Sequence, residues 1–308
     1  MLIFCHGTND GRQFLPYDLQ MVEQEILNYT KRIVKRSGTS FYWGMRFLPR
    51  EKREAMYALY AFCREVDDIA DGVLSSEKKI SLLDLWRHEI KRVFMGVPET
   101  LVGRALIIPV RSYELPMSVF YDVIDGMETD SAEVVRISDM KSLEVYCNRV
   151  ACSVGRLSNP IFGIKGNKSE KLANSLGNAL QITNILRDLY EDAKNNRLYI
   201  PGDLLVSNGI NTECPMSVIS DIKFPKICDI FLLKGKKFFS EASQIIEGLS
   251  SEVSRPPNLM LQNYSRVLDA LGRRGWSNIE KRVSLPKSQK LWIILRYGLS
   301  ISILNSVN

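Results

Sequence analysis

The chain has 308 residues, room for one large helical domain or two smaller ones, and its 45% hydrophobic and 25% charged residues exclude disordered and fibrous classes. Forty-one Lys and Arg against 35 Asp and Glu leave a net charge of +6, which suits anionic substrates or a membrane surface but lacks the clustering of a nucleic-acid binder. With only two histidines, His6 and His88, a His-rich metal centre or a Ser-His-Asp triad has almost no raw material, so chemistry here must use carboxylates.

Residues 1–16, MLIFCHGTNDGRQFLP, read as an irregular N-terminal extension without the basic leader and apolar core of an export signal. Cys5, Cys63, Cys147, Cys152, Cys214 and Cys228 show no C-x-x-C spacing and read as reduced thiols of a cytoplasmic protein.

From residue 17 to 308 nearly every segment carries the helical period. Tyr17 to Lys35 places Leu19, Val22, Ile26, Tyr29 and Ile33 three or four apart, with Gly38 as the stop. A second segment starts near Ser40, and Pro49 opens a long helix that reaches Gly72. Further helices are expected over Ser81 to Met95, Pro116 to Met127, Asp139 to Asn159, and Ser169 to Asp192, the last ended by Lys194-Asn195-Asn196-Arg197 and Pro201. Pro225 to Leu249 follows, Pro256-Pro257 breaks the chain before a helix to Arg274, and a last helix begins near Ser288. Its run Leu291-Trp292-Ile293-Ile294-Leu295, interrupted by Arg296, is too short to span a bilayer and reads as a core or interfacial helix. The expectation is one all-α domain.

Two helices mix acids with buried-type residues. Tyr60, Arg64, Asp67 or Asp68, and Asp71 share one face of the first, beside an apolar stripe of Leu59, Cys63, Val66 and Ala70. Gln181, Asn184, Asp188 and Asp192 form one stripe of the second, with Arg187 alongside. Spacing alone equally fits solvated helix faces whose arginines pair with neighbouring acids. Facing each other, the two stripes would form acidic patches across a cavity. Magnesium suits such patches, because it takes one or two carboxylates and fills its shell with water and phosphate oxygens. The arginines, with Lys194 or Arg197, would hold the same phosphates. No calcium-loop spacing appears, and transition-metal ligands are missing. Asp122 and Asp125 sit one turn apart on a third acidic helix, which either lines the same cavity or is a solvated helix end. Phe41, Tyr42, Trp43, Met45, Tyr57, Tyr60 and Phe62 wall an apolar tunnel or, by default, pack the core.

Ser40-Phe41-Tyr42, Tyr60 to Asp71 and Gln181 to Asp192 resemble the squalene/phytoene synthase family of head-to-head prenyltransferases, over roughly Ser37 to Leu295. Phe41-Tyr42-Trp43, Asp122 to Asp130, Arg149-Val150-Ala151 and Arg282-Val283-Ser284-Leu285-Pro286-Lys287 are most similar to its bacterial members that make presqualene diphosphate for hopanoids. The resemblance implies an all-α isoprenoid-synthase bundle around a central apolar cavity. It implies magnesium held by Asp67, Asp68, Asp71, Asn184, Asp188 and Asp192, and substrate contacts from Ser40, Phe41, Tyr60, Arg64, Tyr146, Gln181, Asn184, Arg187 and Tyr199. Asp67, Asp71, Asp188, Asp192, Tyr60 and Arg64 are the implied catalytic set. Gly38 and Ser284 depart from relatives that carry serine and tyrosine there.

The implied reaction joins two farnesyl diphosphates into presqualene diphosphate, without NADPH for this half-reaction. Alternatives within the same site are phytoene or dehydrosqualene synthesis, or a squalene synthase that also reduces the intermediate. A non-catalytic scaffold relative would be free to lose the acids, yet all of them are present. The implied partners are farnesyl diphosphate, a downstream isoprenoid enzyme, and the inner face of a membrane met by the C-terminal helix with Lys287, Lys290 and Arg296.

Overall fold

The computed structural model describes residues 17–37 and 41–298. The expected extension at 1–16, the stop at Gly38, the Ser40 position and 299–308 lie outside the described residues. Helix α1 (Tyr17–Arg36) is followed by the short α2 (Phe41–Arg46) and the long α3 (Arg50–Asp71), with Pro49 in the N-cap position. Helix α4 (Ser76–Met95) starts a turn earlier than expected and stops at Gly96, whose φ of 83° is open to glycine at no steric cost.

Helix α5 (Leu101–Ser112) was not expected, because Gly103 and Pro109 interrupt its apolar pattern. Its start is instead fixed by tertiary contacts. The Thr100 hydroxyl accepts the Gly103 N–H, and the buried Glu89 carboxylate of α4 accepts the N–H groups of Glu99 and Thr100.

Helix α6 (Met117–Asp130) runs on past Met127 and leads into β1 (Val135–Arg136). The segment expected as one helix from Asp139 is α7 (Met140–Cys147), a π-helical turn over Asn148–Cys152, and α8 (Ser153–Phe162). The wider turn wedges between two neighbours that present glycine. A Cβ on Gly126 would lie 2.6 Å from Val150, and one on Gly177 would lie 2.8 Å from the Cys152 backbone. Helix α9 (Gly166–Lys194) precedes β2 (Arg197–Leu198), which pairs in parallel with β1.

The short α10 (Gly202–Ser207) and α11 (Pro215–Ser220) lead to α12 (Phe224–Glu247) and α13 (Ser251–Arg274). Pro256-Pro257 does not break the chain as expected: α13 passes through both. Both prolines are buried in the second turn of the helix, where their fixed φ is helical and each removes one i→i−4 hydrogen bond. The chain continues as α14 (Lys287–Ile293) and a second π turn, Ile294–Gly298.

The bundle is organised by α3 and α9. Helix α3 packs on α1, α5, α6 and α8, while α9 packs on α8, α12, α13 and the first π turn. Below the acids of α3 lies an aromatic core, with Phe62 edge-on to Trp86 at 5.4 Å and to Phe120 at 5.2 Å. Met45, Tyr57 and Phe62 are core residues, Phe41, Tyr42 and Tyr60 are partly buried, and Trp43 instead stays 46% exposed. The cysteines among the described residues are free thiols. No helix among them is long and apolar enough to cross a membrane.

Candidate active site

Polar faces of α3 and α9 meet across one cavity of about 830 Å³, to which α3 contributes Asp67 and Asp71 and α9 contributes Asn184, Asp188 and Asp192. A second recess of about 280 Å³ shares those five residues and continues to Asp130, Tyr146, Gln181 and Tyr199. The site is thus one forked space with a common acidic wall. Met127, Val150 and Ile185 are the apolar members of the smaller branch's otherwise polar lining.

Arginines hold most of these acids. Arg64 pairs with Asp67 at 3.0 Å and with Asp68 one turn away. Arg197, on β2, donates to Asp71 at 3.0 Å and to the Asp130 carbonyl at 2.9 Å. Asp188 is gripped by its neighbour Arg187 at 2.9 Å and by Arg282 of the α13–α14 connection at 3.0 Å. Asp192 makes no such pair among the described residues, and desolvation with the nearby Asp188 pushes its carboxyl up to about 7. Desolvation, then Asp71, likewise raises Asp67 to about 6, with Arg64 pulling the other way.

At the end of α6, Asp130 accepts hydrogen bonds from the Tyr199 hydroxyl at 2.7 Å and the Tyr146 hydroxyl at 3.1 Å, with the two rings stacked at 4.9 Å. Desolvation lifts Asp130 to about 6 while the Tyr199 hydrogen bond opposes it. Burial, followed by the charge of Asp130, raises both phenols and keeps them protonated. Gln181 reaches the Tyr146 hydroxyl at 3.5 Å.

The expected residues therefore divide. Asp67, Asp71, Tyr146, Gln181, Asn184, Asp188, Asp192 and Tyr199 line the shared space, as do Arg64 and Arg187. Asp68 is 56% exposed and turned to Arg64, and neither Tyr60 nor Phe41 is among the lining residues. On the third acidic helix Asp125 is spent on Arg87 and Arg149, and Lys194 lies over the Tyr190 ring. Periodicity singled out none of Lys79, Asp130, Tyr264 and Arg282 as site residues, yet all four line the space. Asp130 closes α6, Tyr264 lies on α13 and Arg282 on an irregular connection, so the acid stripes of α3 and α9 do not announce them.

The donor set fits a hard divalent cation. The Asn184 carboxamide oxygen is buried with no hydrogen-bond partner, and it sits on the same stripe as Asp188 and Asp192. Among the described residues no three His, Cys, Asp or Glu side chains cluster tightly enough to hold an ion by themselves.

Comparison with known proteins agrees with this geometry. The squalene/phytoene synthase family matches residues 34–289. The chain is 40% identical over 261 residues to the presqualene diphosphate synthase of Zymomonas mobilis, covering 84% of this chain and 88% of that protein. It is 38% identical over 264 residues to the presqualene diphosphate synthase of Sinorhizobium fredii, covering 86% and 94%. In three dimensions it resembles the crystal structure of squalene synthase HpnC from Alicyclobacillus acidocaldarius, with a TM-score of 0.75 at 25% identity over 85% of this chain and 97% of that one. On the family match and on these identities over most of both chains, this protein belongs to the squalene/phytoene synthase family.

Proposed function

We propose that the protein is a magnesium-dependent prenyltransferase that condenses two farnesyl diphosphates head to head, giving presqualene diphosphate and inorganic diphosphate. The observation that carries this reading is the forked cavity whose two branches share Asp67, Asp71, Asn184, Asp188 and Asp192. Two diphosphate substrates that react with each other need such a common wall.

Asp67 and Asp71 on one side, with Asn184, Asp188 and Asp192 on the other, would hold magnesium. When bound, it supplies Lewis-acid stabilisation of the charge growing on a departing diphosphate. Arg64, Arg187, Arg197 and Arg282 carry the remaining charge. Each is a fixed guanidinium already drawn to an aspartate, so an entering diphosphate exchanges one anionic partner for another. Breaking the C–O bond of one substrate leaves an allylic cation. The double bond of the second attacks it, and a proton lost to the released diphosphate closes the cyclopropane. Asp130 holds the Tyr146 and Tyr199 hydroxyls, and both tyrosines line the smaller branch with their rings stacked.

The reading includes a cytoplasmic enzyme that touches the inner face of a membrane through α14 and passes its product to a downstream isoprenoid enzyme. Leu291, Trp292 and Leu295 are exposed there beside Lys290 and Arg296.

A product assay tests the reaction. Purified protein with magnesium and farnesyl diphosphate yields presqualene alcohol after phosphatase treatment, with or without NADPH. Squalene formed only with NADPH would extend the reaction to reduction. Phytoene from geranylgeranyl diphosphate alone would move the enzyme to longer substrates, and no product from either would leave a scaffold protein.

A further inference from the structure

We infer that Lys79 is a positioning residue that holds the C-terminal turn of α3, and with it Asp67 and Asp71, ready for a metal-bound diphosphate; the inference rests on the proposed diphosphate chemistry of this cavity. Asp67, Asp68 and Asp71 occupy the last five positions of α3, whose last turn carries no basic residue. Negative side chains are worst placed at that end, because the backbone carbonyls already concentrate partial negative charge there. The last carbonyls of the helix also lack partners within it. Among the described residues one turn bond closes the end, from the Gly72 N–H to the Ile69 carbonyl at 3.3 Å.

Lys79, in the first turn of α4, answers both problems. Its ammonium donates to the Ala70 carbonyl at 2.7 Å, one residue before Asp71. The residue is 9% exposed, and among the described residues it and Glu89 are the charged ones that are buried. Glu89 is compensated by backbone N–H groups and Arg92. Lys79 makes no ion pair within 4 Å among the described residues, yet it lines the large cavity together with Asp71, Asp192 and Arg197.

Among the described residues the ammonium makes this one hydrogen bond, and it lines the same cavity as Asp67, Asp71, Asp188 and Asp192. The start of α4 is itself tied down, since the Ser76 hydroxyl donates to the Ser131 carbonyl at 2.8 Å, next to Asp130. Lys79 is therefore a brace between the end of α6 and the acidic end of α3. It fixes the turn by a hydrogen bond and lowers the cost of gathering carboxylates there.

A hydrogen-bonding cap and a charged brace make different predictions. Lys79→Gln keeps a donor for the Ala70 carbonyl and loses the charge, whereas Lys79→Arg keeps both. Binding of inorganic diphosphate with magnesium is followed by calorimetry on the full chain, and folding is checked by circular dichroism. The expected result is about tenfold weaker binding for Lys79→Gln, with most of it recovered in Lys79→Arg. In turnover, the half-saturating magnesium concentration rises about tenfold in Lys79→Gln while kcat at saturating magnesium changes less than about threefold. Wild-type binding by a folded Lys79→Gln would overturn the inference, as would Lys79→Arg binding no better than Lys79→Gln. Because this probe needs no turnover, a wild type that binds magnesium diphosphate but leaves farnesyl diphosphate intact sinks the proposed reaction and spares the brace. A wild type that binds no magnesium diphosphate overturns both.

Discussion

Arg282 meets Asp188 at 3.0 Å from a connection with no regular structure, while Asp188 is already held by its own neighbour Arg187. Arg282 also lies 3.9 Å from Glu191, so it stands between two acids of α9 at the rim of the cavity, where an incoming diphosphate can draw on it. Arg282 is 60% exposed, so its pair with Asp188 adds at most about 1 kcal/mol to stability. Arg282→Ala is expected to leave the melting temperature within about 2 °C of wild type, as surface pairs do. The KM for farnesyl diphosphate rises about tenfold, matching loss of one charge-assisted contact. Steady-state kinetics beside a thermal melt separates this from misfolding.

Removing the acid should act differently. Asp188→Ala leaves Arg187, which lies largely enclosed, without its principal partner, and it deletes one of the donors on the α9 stripe. Turnover is expected to fall by about a hundred- to a thousandfold, the scale seen when transition-state charge stabilisation is lost. Asp67→Ala should do the same from the opposite wall. Retention of more than a few per cent activity by either variant contradicts the shared-wall reading.

The free enzyme should carry a pH signature. Asp192 is pushed up to about 7 and Asp67 to about 6, both chiefly by desolvation. An unfolded aspartate ionises near ~4, so between about pH 4 and 7 the folded chain holds protons that the unfolded chain has released. These groups therefore make stability fall as pH rises through that window. In EDTA the wild-type melting temperature is expected to decline from about pH 5 to pH 8 more steeply than that of Asp192→Asn, with the variant the more stable at pH 8. Magnesium diphosphate binds the ionised acids, so its affinity moves in the opposite sense and tightens over the same range. Parallel melting curves for the two proteins would rule the effect out.

How far the sequence foretold this site depends on the kind of residue. The acid stripes of α3 and α9 were legible, because 3.6-residue spacing alone puts Asp67 with Asp71 and Asp188 with Asp192. Helix α5 was not, since its start is set by Glu89 from another helix rather than by its own pattern. Nor was the π turn at Asn148–Cys152, whose extra residue is accommodated only because Gly126 and Gly177 stand opposite in space. Tyr146 and Tyr199 came from family resemblance. Asp130 ends the third acidic helix of the sequence, but its hold on both tyrosines follows only from three dimensions.

Asp130 offers a test of that hidden group. Tyr199→Phe removes the 2.7 Å hydrogen bond that opposes its desolvation, leaving the carboxylate supported by Tyr146 and the fields of Arg197. A lost hydrogen bond to a charged, enclosed group costs about 1.5–3 kcal/mol. The melting temperature should drop by several degrees near pH 8, and by less near pH 5, where Asp130 takes up a proton and needs the donor less. A drop equal at both pH values would mean that Tyr199 contributes packing alone.

Membrane contact makes a last, separable prediction. From Lys281 to Asn308 the chain carries Lys281, Arg282, Lys287, Lys290 and Arg296 and no acid at all. Leu291, Trp292 and Leu295 are each about half exposed on α14 and the turn after it. The Trp292 ring is braced from behind by the Arg266 guanidinium at 5.2 Å, which keeps the face in place. Exposed aromatic and aliphatic side chains beside basic ones suit an anionic bilayer surface, with each cation near the surface adding about 1 kcal/mol. The full chain should float with anionic liposomes at low salt, release as salt rises, and ignore neutral ones. Leu291→Ser with Leu295→Ser should lose flotation while keeping turnover of detergent-dispersed farnesyl diphosphate. Equal flotation by that variant, or none by wild type, would show that this face simply completes the fold.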